Sequence, residues 1–171
     1  METTLYDGDF SAVYSRNIAR VYRICYLRLQ NRADAEDAAQ NVFLRWLRQE
    51  KTFRDAEHEK AYFIVCAQNE AKNAAKNYWR THRTALDEIP EPSVQEQQPS
   101  EALQLLLALP PKYREVLYLY YFEGYSTGEI ARLLRRTETT VRTHLARGRA
   151  RLRLDLEGNY ENWEENYEKH P

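Results

Sequence analysis

The sequence predicts an all-α protein of two small helical domains joined by a flexible acidic linker, the C-terminal domain a helix-turn-helix. Three observations carry this. Apolar residues recur at steps of three and four through most of both halves, the period of a helix with one buried face. Glycine and proline are scarce, five and six in 171 residues, which leaves long segments without a breaker. Between Ser126 and Thr137 a capping sequence, a tight turn and a second cap separate a short helical segment from a long one.

The first helix is predicted over about residues 9–29. Asp9 is its N-cap, and Phe10, Val13, Tyr14, Ile18, Val21, Tyr22, Cys25 and Leu29 form its apolar face. The second runs over about 33–50 and buries Ala35, Ala38, Val42, Phe43, Trp46 and Leu47. Asp34, Asp37, Asn41, Arg45 and Arg48 fall mostly on the other side, with acids early and bases late, as the helix dipole favours. The third covers about 58–82, with Ala61, Ile64, Val65, Gln68, Ala71, Ala75, Tyr78 and Trp79 in the helical period. Its second half changes character: from Ala71 to Arg83 stand Lys72, Lys76, Arg80 and Arg83 and no carboxylate. Tyr78 and Trp79, at helical spacing among these cations, fit either a core or a base-binding surface.

Residues 1–83 thus make one domain, and 84–100 a linker. The linker holds Pro90, Pro92 and Pro99, several glutamines, and the acids Asp87, Glu88, Glu91 and Glu96; no Lys or Arg occurs between Arg83 and Lys112. Fully extended it spans at most about 55–60 Å, enough for two domains to bind separated targets. The second domain, 101–157, opens with Leu103, Leu106 and Leu107, a short helix stopped at Pro110 and Pro111. Tyr113, Val116, Leu117, Tyr120 and Tyr121 mark the next helix, with Gly124 at its C′ position. Ser126 and Glu129 form a capping box for a helix at about 127–134, Arg135-Arg136-Thr137 make the turn, and Thr137 caps a final helix from Glu138 to about Leu156. Residues 158–171 form an acidic tail. After Arg153, six acids face one lysine, and Tyr160, Trp163 and Tyr167 recur at helical spacing.

Composition narrows the function. Hydrophobic residues make up 43% and charged residues 30%, ordinary for a globular protein, and the net charge is −1. The chain is no polycation, so nucleic-acid binding has to rest on local charge. Cys25 and Cys66 form no Cys-x-x-Cys pair and no metal-ligand cluster; they read as reduced core residues. The N-terminus shows no signal peptide, and no apolar run reaches the roughly 18–20 residues that span a bilayer. A cytoplasmic chain that is not itself a membrane protein is expected. There is no phosphate-cradling glycine loop and no ordered catalytic triad, and His58, His82, His144 and His170 are scattered. An enzyme is not expected, nor a metal or other cofactor.

The final helix carries the local charge. With Val141 placed on a helical wheel, Leu145, Gly148 and Leu152 share its face, which must be the packed one. The opposite face carries Thr139, Thr143, Arg147 and Ala150, flanked by Thr140 and Arg142. Short hydroxyls suit phosphates and thymine methyls, and guanidinium groups suit guanine edges. From Thr127 to Arg153 eight arginines face two glutamates, a net +6 without a lysine.

These residues carry a family resemblance. Leu109-Pro-Pro-Lys-Tyr-Arg-Glu-Val-Leu117, Tyr121-Phe-Glu-Gly-Tyr-Ser-Thr-Gly-Glu-Ile-Ala131 and Thr140-Val-Arg-Thr-His-Leu-Ala-Arg-Gly-Arg149 resemble the fourth conserved region of extracytoplasmic-function (ECF) sigma factors of bacterial RNA polymerase. The resemblance implies binding of the −35 promoter element, with Thr139, Thr140, Arg142, Thr143 and Arg147 as readers. His144 stands where the family commonly has Arg or another polar residue, and Gly148 where Ala is usual. On the packed face, Gly148 implies close helix packing. Asp34-Ala-Glu-Asp-Ala-Ala-Gln-Asn-Val-Phe-Leu-Arg-Trp46 resembles the family helix that docks on the largest polymerase subunit. That resemblance assigns docking to Asp37, Gln40, Asn41 and Leu44, with Asn41 replacing a more usual Glu. Lys60-Ala-Tyr-Phe-Ile-Val-Cys-Ala-Gln-Asn69 and the residues after it resemble the helix that binds and melts the −10 element. The transferable positions there are Asn69, Lys72, Asn73, Lys76, Trp79 and Arg80, types that hold a backbone and unstacked bases. In all, the resemblance spans roughly residues 9–156. It implies a sigma factor whose partners are core RNA polymerase and promoter DNA, with an anti-sigma factor as a further partner. The rival reading is a stand-alone helix-turn-helix regulator, which needs a dimer surface to set half-site spacing; no separate dimerisation segment is evident.

Overall fold

The computed structural model describes residues 9–81 and 100–157, with side chains for 9–78 and 100–153. All seven described elements are helices, and the chain divides into two compact units, Met1–Glu96 and Gln97–Pro171. Residues 84–99 of the predicted linker, and the acidic tail from 158, lie outside the described residues. Ser100 belongs to the second unit: its hydroxyl caps the helix that follows.

The first unit packs α1 (Phe10–Leu29), α2 (Arg32–Gln49) and α3 (Ala56–Thr81) on one another. Asp9 takes the N-cap position of α1 through its backbone alone, its carbonyl accepting from Val13 N–H, with no side-chain cap bond. Asn31 caps α2 by accepting from Asp34 N–H at 3.0 Å. α3 begins two residues earlier than its apolar period suggests, because Asp55 accepts from His58 N–H at 2.8 Å. With few glycines available, α1 and α2 end on Gln30 and Glu50 in the left-handed region, a conformation L-residues adopt at some cost.

Alanines 35, 38, 39, 67 and 71 are buried and let the three helices approach closely. Around them lie Val13, Val21, Val42, Phe43, Phe63 and Ile64. Phe43, Trp46, Phe53 and Phe63 stack or tilt against one another at 5.0–6.2 Å, spacings favourable for aromatic pairs. The predicted faces are rotated slightly at their edges. Leu47, Phe10, Tyr14 and Tyr78 are exposed, while Ile24, Leu27, Ala39 and Phe63 are buried. Cys25 lies in the core and Cys66 is half-buried, both free; burial, with some help from the Glu70 charge, pushes the Cys25 thiol up to about 12.

One polar knot sits in this core. Glu59, in the first turn of α3, is only 2% exposed. It accepts from Arg16 Nε and Nη2 at 3.1 and 3.0 Å and from Asn17 Nδ2. Asn17 is itself buried and also donates to the Val13 carbonyl. A carboxylate at a helix N-terminus, held by a bidentate arginine, tolerates burial because each lone pair finds a donor.

The second unit centres on α5 (Pro111–Tyr121), against which α4 (Glu101–Leu107), α6 (Thr127–Leu134) and α7 (Glu138–Glu157) pack. Because α5 is covered on several sides, its burial is not a single stripe: Tyr113, Arg114, Val116, Leu117, Tyr118 and Leu119 are all buried, whereas Tyr121 is 56% exposed. Arg114 donates to the carbonyls of Leu106, Leu107 and Leu109 at 3.0, 3.0 and 2.7 Å. These carbonyls lie at the end of α4 and in the turn after it, and Leu106 O also accepts from Leu109 N–H at 3.1 Å. Gly124 is left-handed, φ +75°, but stands at C″ rather than at the predicted C′, because Phe122 occupies the C-cap.

Gly148 is where α7 meets α5. A Cβ built there would lie 2.5 Å from Leu117 Cδ1 and 3.2 Å from Tyr113 Cβ. Only a hydrogen fits without movement. Gly148→Ala should therefore lower the stability of this unit by about 1–3 kcal/mol, despite alanine's better helix propensity. The check is the midpoint of denaturant unfolding, which falls if the contact is as tight as described.

Candidate nucleic-acid interface

α6 and α7 form the predicted helix-turn-helix. Ser126 accepts from Glu129 N–H at 3.2 Å while Glu129 accepts from Ser126 N–H at 2.8 Å, the reciprocal capping box. α6 closes with Arg135 left-handed, φ 52°, and Arg136 N–H bonded to the Ala131 carbonyl. Thr137 then caps α7 by accepting from Thr140 N–H at 3.2 Å. Glu138 accepts from Thr127 at 2.7 Å and from Arg142 at 2.8 Å, tying the starts of the two helices together. The Thr127 bond, and then the Arg142 charge, lower the Glu138 carboxyl below its usual value.

α7 buries Val141, Leu145 and Gly148, as its wheel predicts; Leu152 is half-buried. Of the expected readers, Thr139 and Arg142 are exposed, and Thr140, Thr143 and Arg147 are partly so. None of the five is buried. The Thr140 hydroxyl is shared with the cap, 2.8 Å from Thr137 Oγ1.

The +6 charge is not all displayed there. Arg149 lies over the rings of Tyr120 and Tyr121 and donates to the Tyr121 hydroxyl at 2.6 Å. Arg151 lies over Tyr113, and Arg136 pairs with Glu115 at 3.3 Å. These three arginines anchor α7 and the turn to α5. Counting charge along the sequence could not separate anchors from readers, because their partners lie some 20–40 positions earlier in the chain.

In the first unit, Asp37, Gln40, Asn41 and Leu44 fall at steps of three and four on the exposed side of α2. Leu44 is 46% exposed, an apolar group among polar ones. Asn41 and Arg45 both donate to Glu70 of α3, at 3.2 and 2.8 Å. An open hollow of about 440 Å³ runs alongside, lined by Asn41, Leu44, Arg45, Arg48, Gln49 and Glu70. Glu70, Arg48 and Gln49 were not expected in this surface; the helix-to-helix contact that brings Glu70 in has no local signature. On α3, Asn69, Asn73 and Lys76 are exposed and Lys72 is half-buried, all on one stripe. Trp79 and Arg80 follow in the same helix, their side chains outside those described.

The order of these units matches a known pair. The description "Sigma-70 region 2" fits residues 13–88, and "Sigma-70, region 4" fits residues 100–152. The chain belongs to the sigma-70 family, in its extracytoplasmic-function branch. A probable RNA polymerase sigma factor, RfaY, from Xanthomonas campestris pv. campestris is 34% identical over 142 residues, covering 72% of this chain and 34% of that protein. The ECF sigma factor BldN of Streptomyces coelicolor is 28% identical over 148 residues, covering 78% of this chain and 55% of its own. SigW, an ECF sigma factor of Bacillus subtilis, is 29% identical over 155 residues, 80% of this chain and 83% of SigW. The chain thus spans only 34% and 55% of the first two of these relatives. The sigma factor RpoE of Bartonella quintana, solved in complex with the anti-sigma factor NepR, shares the fold, with TM-score 0.72 at 19% identity over 87% of this chain and 97% of that one.

Among the described residues no helix is long and apolar enough to cross a membrane. Within the region 4 unit, anchors and readers should separate on mutation. Arg149→Ala removes a hydrogen bond and two ring contacts, and should lower the melting temperature measurably. Arg142→Ala removes an exposed i,i+4 pair, which solvent screens to little net worth, and should leave it nearly unchanged. Thermal melts of both variants, monitored by circular dichroism, check this.

Proposed function

We propose that the chain is a sigma factor of ECF type: it binds core RNA polymerase and directs it to promoters by engaging −10 and −35 elements. The supporting observation is the occurrence of sigma-70 regions 2 and 4, in that order, on one chain. Each displays its expected polar stripe opposite a packed core. In this reading Asp37, Gln40, Asn41 and Leu44 meet polymerase, with Leu44 as the apolar centre of the contact. Asn69, Lys72, Asn73, Lys76, Trp79 and Arg80 hold the −10 strand. Thr139, Thr140, Arg142, Thr143 and Arg147 read −35. Such a chain acts where polymerase acts, in the cytoplasm, as an initiation factor rather than an enzyme, and an anti-sigma factor is a further partner in keeping with the family. Two modest DNA contacts add in effect once both are tethered to one polymerase.

The test is association of the purified protein with bacterial core RNA polymerase by size-exclusion chromatography. Co-elution is expected, weakened by Asp37→Lys with Gln40→Ala. Failure to co-elute together with specific duplex binding by the chain alone would favour the stand-alone regulator. Arg142→Ala and Arg147→Ala should each lower −35-dependent transcription by roughly 5–160-fold, the equivalent of about 1–3 kcal/mol per base contact, while polymerase still co-elutes. Loss of polymerase binding in either variant would contradict the division of labour between the units.

A further inference from the structure

Beside the reading face of α7, ionisable groups from three elements gather round one buried ring. The ring is Tyr113 of α5. His144 meets it edge-on, centroids 5.5 Å apart. Lys112 Nζ lies 5.0 Å from the same centroid and the Arg151 guanidinium 5.3 Å. Arg136 arrives from the turn, paired at 3.3 Å with Glu115 of α5, and Arg147 follows His144 by one turn of α7. At 100° per residue, His144, Arg147 and Arg151 share the flank between the packed and reading faces.

This cluster is short of negative charge. His144 faces Lys112 and Glu115 from α5, Arg136 from the turn and Arg147 on its own helix. Glu115 is the one carboxylate among them, and Arg136 already claims it. Arg136 Nη1, His144 Nδ1 and Glu115 Oε2 are buried and, among the described residues, have no hydrogen-bond partner, Glu115 Oε2 meeting Arg136 only as an ion pair. Unsatisfied buried polar groups of this kind are uncommon and ask for an explanation. Burial first, then the charges of Arg136, Lys112 and Arg147, hold the imidazole below its usual pKa; Glu115 opposes them. These effects favour the neutral imidazole in the free protein.

An anion against the exposed parts of these side chains would offset the excess of positive charge. We propose that Lys112, Arg136 and His144 form the seat of one DNA backbone phosphate on the flank of the reading face, and that His144 takes up a proton from solvent as the phosphate arrives. The inference rests on the reading of α7 as the −35 helix and adds the position and the proton. A phosphodiester brings one negative charge and accepting oxygens, which suit guanidinium and imidazolium donors. The sign follows from linkage. The bound state has the higher His144 pKa, so affinity is greatest below the pKa of the free protein and declines as pH rises through that of the complex.

The experiment is a pH titration of the His144 ring resonance in the full chain, with and without a mixed-sequence duplex. His144→Asn assigns the signal among the four histidines. The resonance should titrate below about 6.5 in the free protein and at least about one unit higher in the complex. Duplex affinity of the wild type should then rise about tenfold more than that of His144→Asn between about pH 8 and about pH 5.5. Lys112→Gln should reduce the slope of log affinity against log salt by about 0.9, one phosphate contact. A His144 signal that titrates identically with and without duplex, or equal pH dependence in His144→Asn, overturns the seat while leaving DNA binding intact. If inorganic phosphate at matched ionic strength moves His144 as far as the duplex does, the cluster is a free-anion site and the DNA assignment falls. If the chain binds no duplex even with core polymerase present, the reading of α7 falls with it.

Discussion

The close approach of α7 to α5 at Gly148 is the constraint on which the second unit depends. A helix can present a reading face only if its opposite face is held firmly. Here Val141, Leu145 and Gly148 are buried, Gly148 directly against Leu117 and the Cβ of Tyr113. Removing a side chain at 148 brings the axes together. That in turn lets Arg149 and Arg151, on either edge, reach tyrosine rings on α5. The helix gives up intrinsic propensity at that position, roughly 1 kcal/mol relative to alanine, and gains a position fixed along both edges. Arg114 adds the third side: its bonds to three carbonyls at and just after the end of α4 tie that turn to α5.

The first unit reaches rigidity by a different route. Its helices approach over alanines, which bring backbones close but contribute little apolar area each. The aromatic cluster around Phe43, Trp46 and Phe63 supplies the area, and the Arg16–Asn17–Glu59 knot supplies the register between α1 and α3. A buried carboxylate stripped of its donors is costly, so a slipped pairing of these helices is penalised. Both polar stripes on the outside of the unit, on α2 and on α3, then stand at defined angles to one another. Glu70, bonded to Asn41 and Arg45, links them at the surface.

Much of this was legible in the residues. The helix-turn-helix was readable to within a residue because its signals are local: Ser126 with Glu129, then Thr137, each acting within one turn. Gly148 was readable because a glycine on a packed face has few other uses. What escaped is non-local. Asn17 and Glu59 look like surface polar residues until the fold sets them 42 positions apart in contact. α5 was misjudged at Tyr118, Leu119 and Tyr121 because a central helix has several neighbours, and a single-face period describes only one of them. The start of α3 was placed late because Asp55 precedes the apolar pattern it caps.

The same distinction governs charge. Along the sequence the second unit appears as a uniform block of arginine, suited to any polyanion. Folded, the block divides: Arg136, Arg149 and Arg151 are committed to Glu115 and the tyrosines, Arg142 leans on Glu138, and Arg147 stands beside His144. A uniformly basic surface would bind duplexes without preference through counterion release alone. Tying several of these cations to fixed partners lowers that indiscriminate term and fixes the directions of those that remain, and direction is what base recognition requires. On the proposed reading of α7, discrimination would arise as much from Arg149 and Arg151, held on the tyrosines of α5, as from the arginines left exposed.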